Sequence, residues 1–243
     1  MTVREQLQNL MERVFLLPVR LRARARSRHR RGLRAETLAT TRRTLERLTE
    51  LKAESLREVY NVALYLILLD QDLADFTDDL VCAIGERRRV FLAKHEAVLL
   101  HEAAEDLTQL LGRDFRAAVE TLGASDEQRG KLDEVTSDLN KFWQTHREFL
   151  GGIRKTVAAH REKKALVYLQ NLEQLKPLVV MERAAELSAL LNRLLRAITL
   201  VAMGNAGAGA ILRDMVASGN RKVPDDKRTK PTNGPPREKP PRT

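Results

Sequence analysis

Cysteine occurs once in these 243 residues, at Cys82. A single thiol excludes an intrachain disulfide and a thiolate zinc site, and a reducing, cytoplasmic setting fits that usage. Aromatics are scarce too: one Trp, three Tyr and six Phe make up 4% of the chain, while Leu, Ala, Arg and Glu are abundant. Strand-built sandwiches and barrels draw on aromatic and β-branched residues, so this composition points to helices. Long apolar runs are missing as well. The longest, "VYNVALYLILL" from Val59 to Leu69, contains Asn61, precedes Asp70 and reaches about half of the ~20 residues that span a bilayer. It reads as a buried core helix. At the N-terminus, "VFLLPV" is too short for a secretory signal core, and Glu5 and Glu12 interrupt its surroundings.

Several catalytic signatures are lacking. In "GASDEQRGKL" six residues separate Gly123 from Gly130 where a phosphate loop needs four, and Leu132 stands where Ser or Thr would hold magnesium. There is no G-x-S-x-G, no H-E-x-x-H and no Glu-x-x-His pair, so nucleophile-elbow, zincin and di-iron bundle chemistries have no sequence basis. His95 and His101 lie about 240° apart around a helix and read as surface or packing residues. No metal and no cofactor is expected.

What the chain has in excess is positive charge, and it is unevenly placed. The net charge is +10; residues 1–34 hold ten Arg against two Glu, net +8, and residues 221–243 are net +5, leaving −3 for residues 35–220. The basicity belongs to the ends rather than to the folded surface.

Hydrophobic periodicity predicts helices throughout. Leu7, Leu10, Met11, Val14 and Phe15 share one face until Pro18 interrupts. Beyond it Arg20, Arg22, Arg24, Arg26, Arg28 and Arg30 alternate with small residues, a pattern without an apolar seam that reads as a solvated arm or a poorly held helix. A stripe of Leu38, Leu45, Leu48 and Leu51 follows. Helices are then expected over about 57–72 and 73–84, with Gly85 as a stop. An amphipathic helix from Glu86 carries Leu92, Leu99, Ala103, Leu107 and Leu110 on one face and ends at Gly112, and a short helix ends at Gly123. Ser125 and Gln128 form a capping box that opens a long helix with Leu139, Phe142, Phe149, Ile153 and Val157 on one stripe. His146 lies on this stripe and reads as a satisfied core histidine. Gly151 and Gly152 each cost that helix about 1 kcal/mol relative to Ala and call for a packing reason, such as close approach of another backbone. Pro177 restarts the chain into a last core helix, which frays from Gly204.

The expected fold is therefore all-α: an antiparallel helical bundle with a basic N-terminal arm and a disordered C-terminal tail. Its divisions are 1–34, an N-terminal helix and Arg-rich arm; 35–85, helices packed on the bundle; 86–204, the bundle core; and 205–243, a Gly-rich fray and basic tail.

One constellation carries chemistry. In "FLGGIRKTVAAHREKK", Arg154 and His160 are separated by five residues near the end of a long helix. The stretch resembles the HEPN superfamily, all-α domains with an R-x(4 to 6)-H signature on a late bundle helix. The match is close over "IRKTVAAHRE" and architectural over about 86–202. Many members of that superfamily are metal-independent ribonucleases of toxin–antitoxin, abortive-infection and other defence systems; others only bind nucleotides or partners. The pattern departs at Lys155, where the family commonly has Asn or Asp.

Such a pair has a chemical rationale of its own. Metal-free RNA cleavage needs a base for the 2′-hydroxyl, an acid for the leaving oxygen and a cation on the phosphate. Histidine can serve as either base or acid, and arginine grips phosphate oxygens. A symmetric homodimer would supply the second histidine, with Ala158 and Ala159 permitting close approach. Arg154 and His160 are thus the candidate catalytic residues. Glu102 and Asp106 are candidate orienting carboxylates, Lys155 and Arg161 candidate phosphate contacts, and Arg20, Arg22, Arg24, Arg26, Arg28 and Arg30 candidate RNA contacts. The same Arg and His also complement the dipole of an ordinary helix end, worth about 0.3 to 1 kcal/mol.

Two functions follow. One is a HEPN-like endoribonuclease, or a catalytically degenerate relative that binds RNA. The other is a non-enzymatic helical adaptor or regulator that binds a protein partner such as an antitoxin or defence component. A membrane surface ranks last among partners, on the apolar first helix followed by eight Arg.

Overall fold

The computed structural model describes residues 17–155 and 175–205, with Met11, Val14 and Phe15 just ahead of them. Among the described residues there are six helices and no strand: α1 Leu17–Glu50, α2 Glu54–Cys82, α3 Glu86–Leu110, α4 Arg113–Thr121, α5 Asp126–Ile153 and α6 Pro177–Asn205. The expected tail, Val157, Ala158, Ala159, His160 and Arg161 lie outside the described residues.

Helix ends are set by local chemistry. Ser125 accepts the backbone N–H of Gln128 at 3.2 Å, and the Gln128 side chain accepts the Ser125 N–H at 2.9 Å, so the capping box is formed in full. Gly123 takes φ +74 between α4 and α5, a conformation that suits a residue without a side chain. At Gly112 a Cβ would sit 2.8 Å from the Gln109 carbonyl oxygen, which explains glycine there although its φ is −75.

Of the five long helices, α2, α3, α5 and α6 form an up-down-up-down bundle. Thr77 and Tyr65 of α2 reach Glu96 and Asp106 of α3, so these two run antiparallel. Arg193 of α6 binds Glu134 and Asp138 of α5, while Gln128 donates to the Leu200 carbonyl, so α5 and α6 do the same. One continuous core extends from Leu48 to Ala202, with Leu56, Leu66, Leu73, Leu100, Leu107, Leu150, Leu187, Leu191 and Leu194 almost wholly buried. Each contributes roughly 1.5–3 kcal/mol by leaving water. α6 is the single described helix long and apolar enough to cross a membrane. Here it is a core helix, with Val180, Leu187, Leu194, Ile198 and Val201 inside.

Several expectations change. The Arg-rich stretch is helical and runs without a break into the leucine stripe beyond it, and Pro18 does not end the helix, since Met11, Val14 and Phe15 ahead of it are helical as well. α1 packs along α2. The helices expected over 57–72 and 73–84 are one helix, α2, because the polar "DQD" does not interrupt it: Asp70 accepts Arg34 of α1 at 2.7 Å and Ser188 of α6 at 2.6 Å. α2 is therefore itself a bundle helix. On α3 the buried face is Ala93, Glu96, Ala97, Leu100, Ala103, Ala104 and Leu107, while Leu92, Leu99 and Leu110 are only partly covered. On α5, Phe149 is 40% exposed and Leu150 takes the inner position.

Candidate functional site

Arg154 and Lys155 continue the chain from α5, and the Arg154 backbone N–H donates to the Leu150 and Gly151 carbonyls. This end of α5 lies against the middle of α3. Arg154 Nε is 3.5 Å from Glu102 Oε1, and both side chains are about half exposed. Glu102 thus faces the guanidinium as an ion pair at the edge of the bundle. Asp106, one turn on, does not join it; it accepts the Tyr65 hydroxyl at 3.0 Å and borders a shallow cleft of about 730 Å³ with Glu58, Arg113 and Asp114. Burial, the bond to Asp106 and the nearby Glu102 carboxylate all push the Tyr65 hydroxyl upward, so it stays protonated.

His101 is the residue that spacing did not single out for this edge. Its ring stands edge-on to Trp143 with centroids 4.9 Å apart, its Nδ1 is 3.9 Å from Glu105 Oε2, and its side chain is 12% exposed. Burial, then the charge of Arg154, lowers its pKa, against an upward pull from Glu105 and Glu102; Lys155 adds a small downward push. It is a neutral imidazole at pH 7. A Cβ on Gly151 would meet His101 Nε2 at 3.3 Å. The reason for that glycine is therefore a side chain rather than an approaching backbone. A Cβ on Gly152 would meet nothing within 4 Å. The signal for His101 was present only as a pair: an imidazole on α3 and a glycine on α5 that the bundle places together.

Arg154 Nε and His101 Nδ1 are buried and make no hydrogen bond among the described residues. Lys155 is exposed on the same edge. His160 and Arg161, the remaining members of the proposed motif, lie outside the described residues. His146 is buried against Phe142 with its Nε2 3.3 Å from Glu186 Oε2, a satisfied core histidine. His95 packs on Phe91. No three His, Cys, Asp or Glu side chains among the described residues are grouped to hold a metal.

The arm arginines divide. Arg22, Arg24, Arg28 and Arg30 are exposed, and the side chain of Arg26 lies outside the described residues. Arg20 is turned inward, 6% exposed, and donates to the Ala83 carbonyl at 3.3 Å. It is a structural contact with the end of α2 and is not presented to RNA.

Compared with protein-family models, curated proteins and solved structures, the chain matches none.

Proposed function

We propose that this chain is a HEPN-like helical bundle that binds RNA at the α3–α5 edge, with Arg154 on a phosphate and His160 as the residue on which cleavage turns. The observation that carries the reading is the Glu102–Arg154 pair. It supports a half-exposed guanidinium beside a carboxylate at the position of the arginine in the R-x(5)-H pattern. A carboxylate on one side of the fork leaves other N–H donors for phosphate oxygens, and the exposed Lys155 adds a second cation.

In this reading the His160 imidazole removes the 2′-hydroxyl proton, and the 2′-oxygen attacks phosphorus. A 2′,3′-cyclic phosphate forms as the bond to the 5′-oxygen breaks, and that oxygen takes a proton from a second acid. His101 does not fill the second role: it is neutral, mostly buried and turned toward Gly151. The acid is then the His160 of a second copy, and activity depends on a homodimer. Lys155, where the family commonly has Asn or Asp, favours phosphate binding over fine positioning of the imidazole, so the degenerate RNA-binding form belongs to the same proposal.

The test is incubation of purified wild type and His160→Ala with total RNA in excess chelator, with end-group analysis of the fragments and RNA binding measured across salt concentrations. Cleavage by wild type alone, leaving 2′,3′-cyclic ends, supports the ribonuclease. Salt-dependent binding that Arg154→Ala weakens, without cleavage, supports the RNA-binding form. Intact RNA with no binding sinks the proposal and leaves the protein-binding adaptor.

A further inference from the structure

Among the described residues, exposed large apolar side chains gather at the N-terminal end of α1 and just ahead of it. Met11, Val14, Phe15, Leu17 and Leu21 are 52, 61, 69, 52 and 55% exposed. At 100° per residue Met11, Val14, Phe15 and Leu21 fall within an arc of about 120°. The residues that hold α1 to α2 lie on the opposite side: Arg20 on the Ala83 carbonyl, buried Ser27, and Arg34 on Asp70. Because α2 ends at Cys82, opposite Arg20, Leu17, Phe15, Val14 and Met11 lie beyond the end of their supporting helix. Clustered apolar exposure of this kind marks a contact surface, whereas scattered single residues would not.

The surrounding charge says what kind of surface is met. Between Leu17 and Ala35 the chain has eight Arg and no Asp or Glu, and Arg22, Arg24, Arg28 and Arg30 are exposed. An apolar face joined to unopposed arginines fits the boundary of an anionic bilayer, where the apolar side chains enter among the acyl chains and the guanidinium groups lie on lipid phosphates. RNA would use the arginines and leave Val14 and Phe15 unsatisfied.

We propose that the start of α1 docks the protein on an anionic lipid surface, with Met11, Val14, Phe15 and Leu21 in the headgroup boundary and Arg22, Arg24 and Arg28 on lipid phosphates. This surface is distinct from the Arg154 edge. Glu102 lies between the levels of Thr77 and Tyr65 on α2, whereas Arg20 meets Ala83, a separation of about 20 Å along the bundle axis at 1.5 Å per residue.

The experiment is cosedimentation of the full chain with vesicles of phosphatidylcholine alone or with about a third phosphatidylserine, from low to physiological salt. Wild type pellets with the anionic vesicles and not with the neutral ones. The Val14→Glu, Phe15→Glu double variant loses at least tenfold in binding while its helicity and melting temperature stay unchanged, because both positions are exposed. Arg154→Ala pellets like wild type, which separates this surface from RNA binding at the α3–α5 edge. The proposal is overturned if wild type stays in the supernatant at low salt, or if the double variant pellets equally well. It is also overturned if the double variant loses self-association or RNA binding while vesicles never recruit wild type, since the face then belongs to a second copy or to RNA.

Discussion

Among the described residues Glu96 is the most deeply buried ionisable side chain. It is fully buried on α3 and accepts the Thr77 hydroxyl at 2.8 Å through one oxygen, while the other oxygen has no hydrogen-bond partner among the described residues. Desolvation raises its pKa to about 7, against a small lowering from Thr77. Between the ordinary value of 4.5 and about 7 the folded state binds a proton that the unfolded chain does not, so the stability that Glu96 supplies is present at low pH and lost as pH rises through that window. At about 1.36 kcal/mol per unit, the effect reaches roughly 3 kcal/mol. Glu96→Gln should match wild type in denaturant titrations at pH 4.5 and exceed it at pH 8 by about that amount. An equal difference at both pH values would mean that the carboxyl is not protonated by burial. The apolar face chosen from leucine spacing passed over Glu96 because a charged residue type does not announce burial; neighbouring Ala93, Ala97 and Leu100 decide it.

Helix ends were legible at the scale of single elements because their determinants lie within three or four positions. The Ser125 box is one case, and removing it is a direct measure of what the local signal contributes: Ser125→Ala should cost about 1 kcal/mol in urea unfolding, with the core unchanged. A loss well under a few tenths would show that the Gln128 bond to Leu200 holds this end alone. α1 is the opposite case. Its alternating arginines lack an apolar seam, yet the helix forms because Arg20, Arg31 and Arg34 recur on one side and meet Ala83 at the end of α2 and Asp75 and Asp70 within it. Ala, Leu and Arg favour the helix locally, and the partner supplies the face that hydropathy did not reveal.

Across the whole molecule Asp70 ties three helices, accepting Arg34 of α1 and Ser188 of α6 from its place in α2. Asp70→Ala should destabilise by about 2–4 kcal/mol, since it leaves a half-buried guanidinium and a hydroxyl without their partner. Hydrogen exchange should rise first in α1, which rests mainly on α2, and later in the four-helix core; uniform acceleration would show that α1 and the core unfold as one unit. The sequence by itself determined the all-helical class, the capping box and the turns at Gly123 and Pro177, since propensity and capping act over one or two turns; between Glu102 and Asp106, two candidate carboxylates on one stripe, it did not choose. Only the tertiary structure decided that the arginine run is a helix, that Arg20 is buried, that His101 meets Gly151, and that Asp106 turns to Tyr65 instead of Arg154. The physical reason is range. Asp106 and Tyr65 are 41 positions apart, Asp70 and Ser188 118, and Glu102 and Asp106 share one stripe only about 6 Å apart along α3. Which partner each receives depends on how whole helices are set against one another.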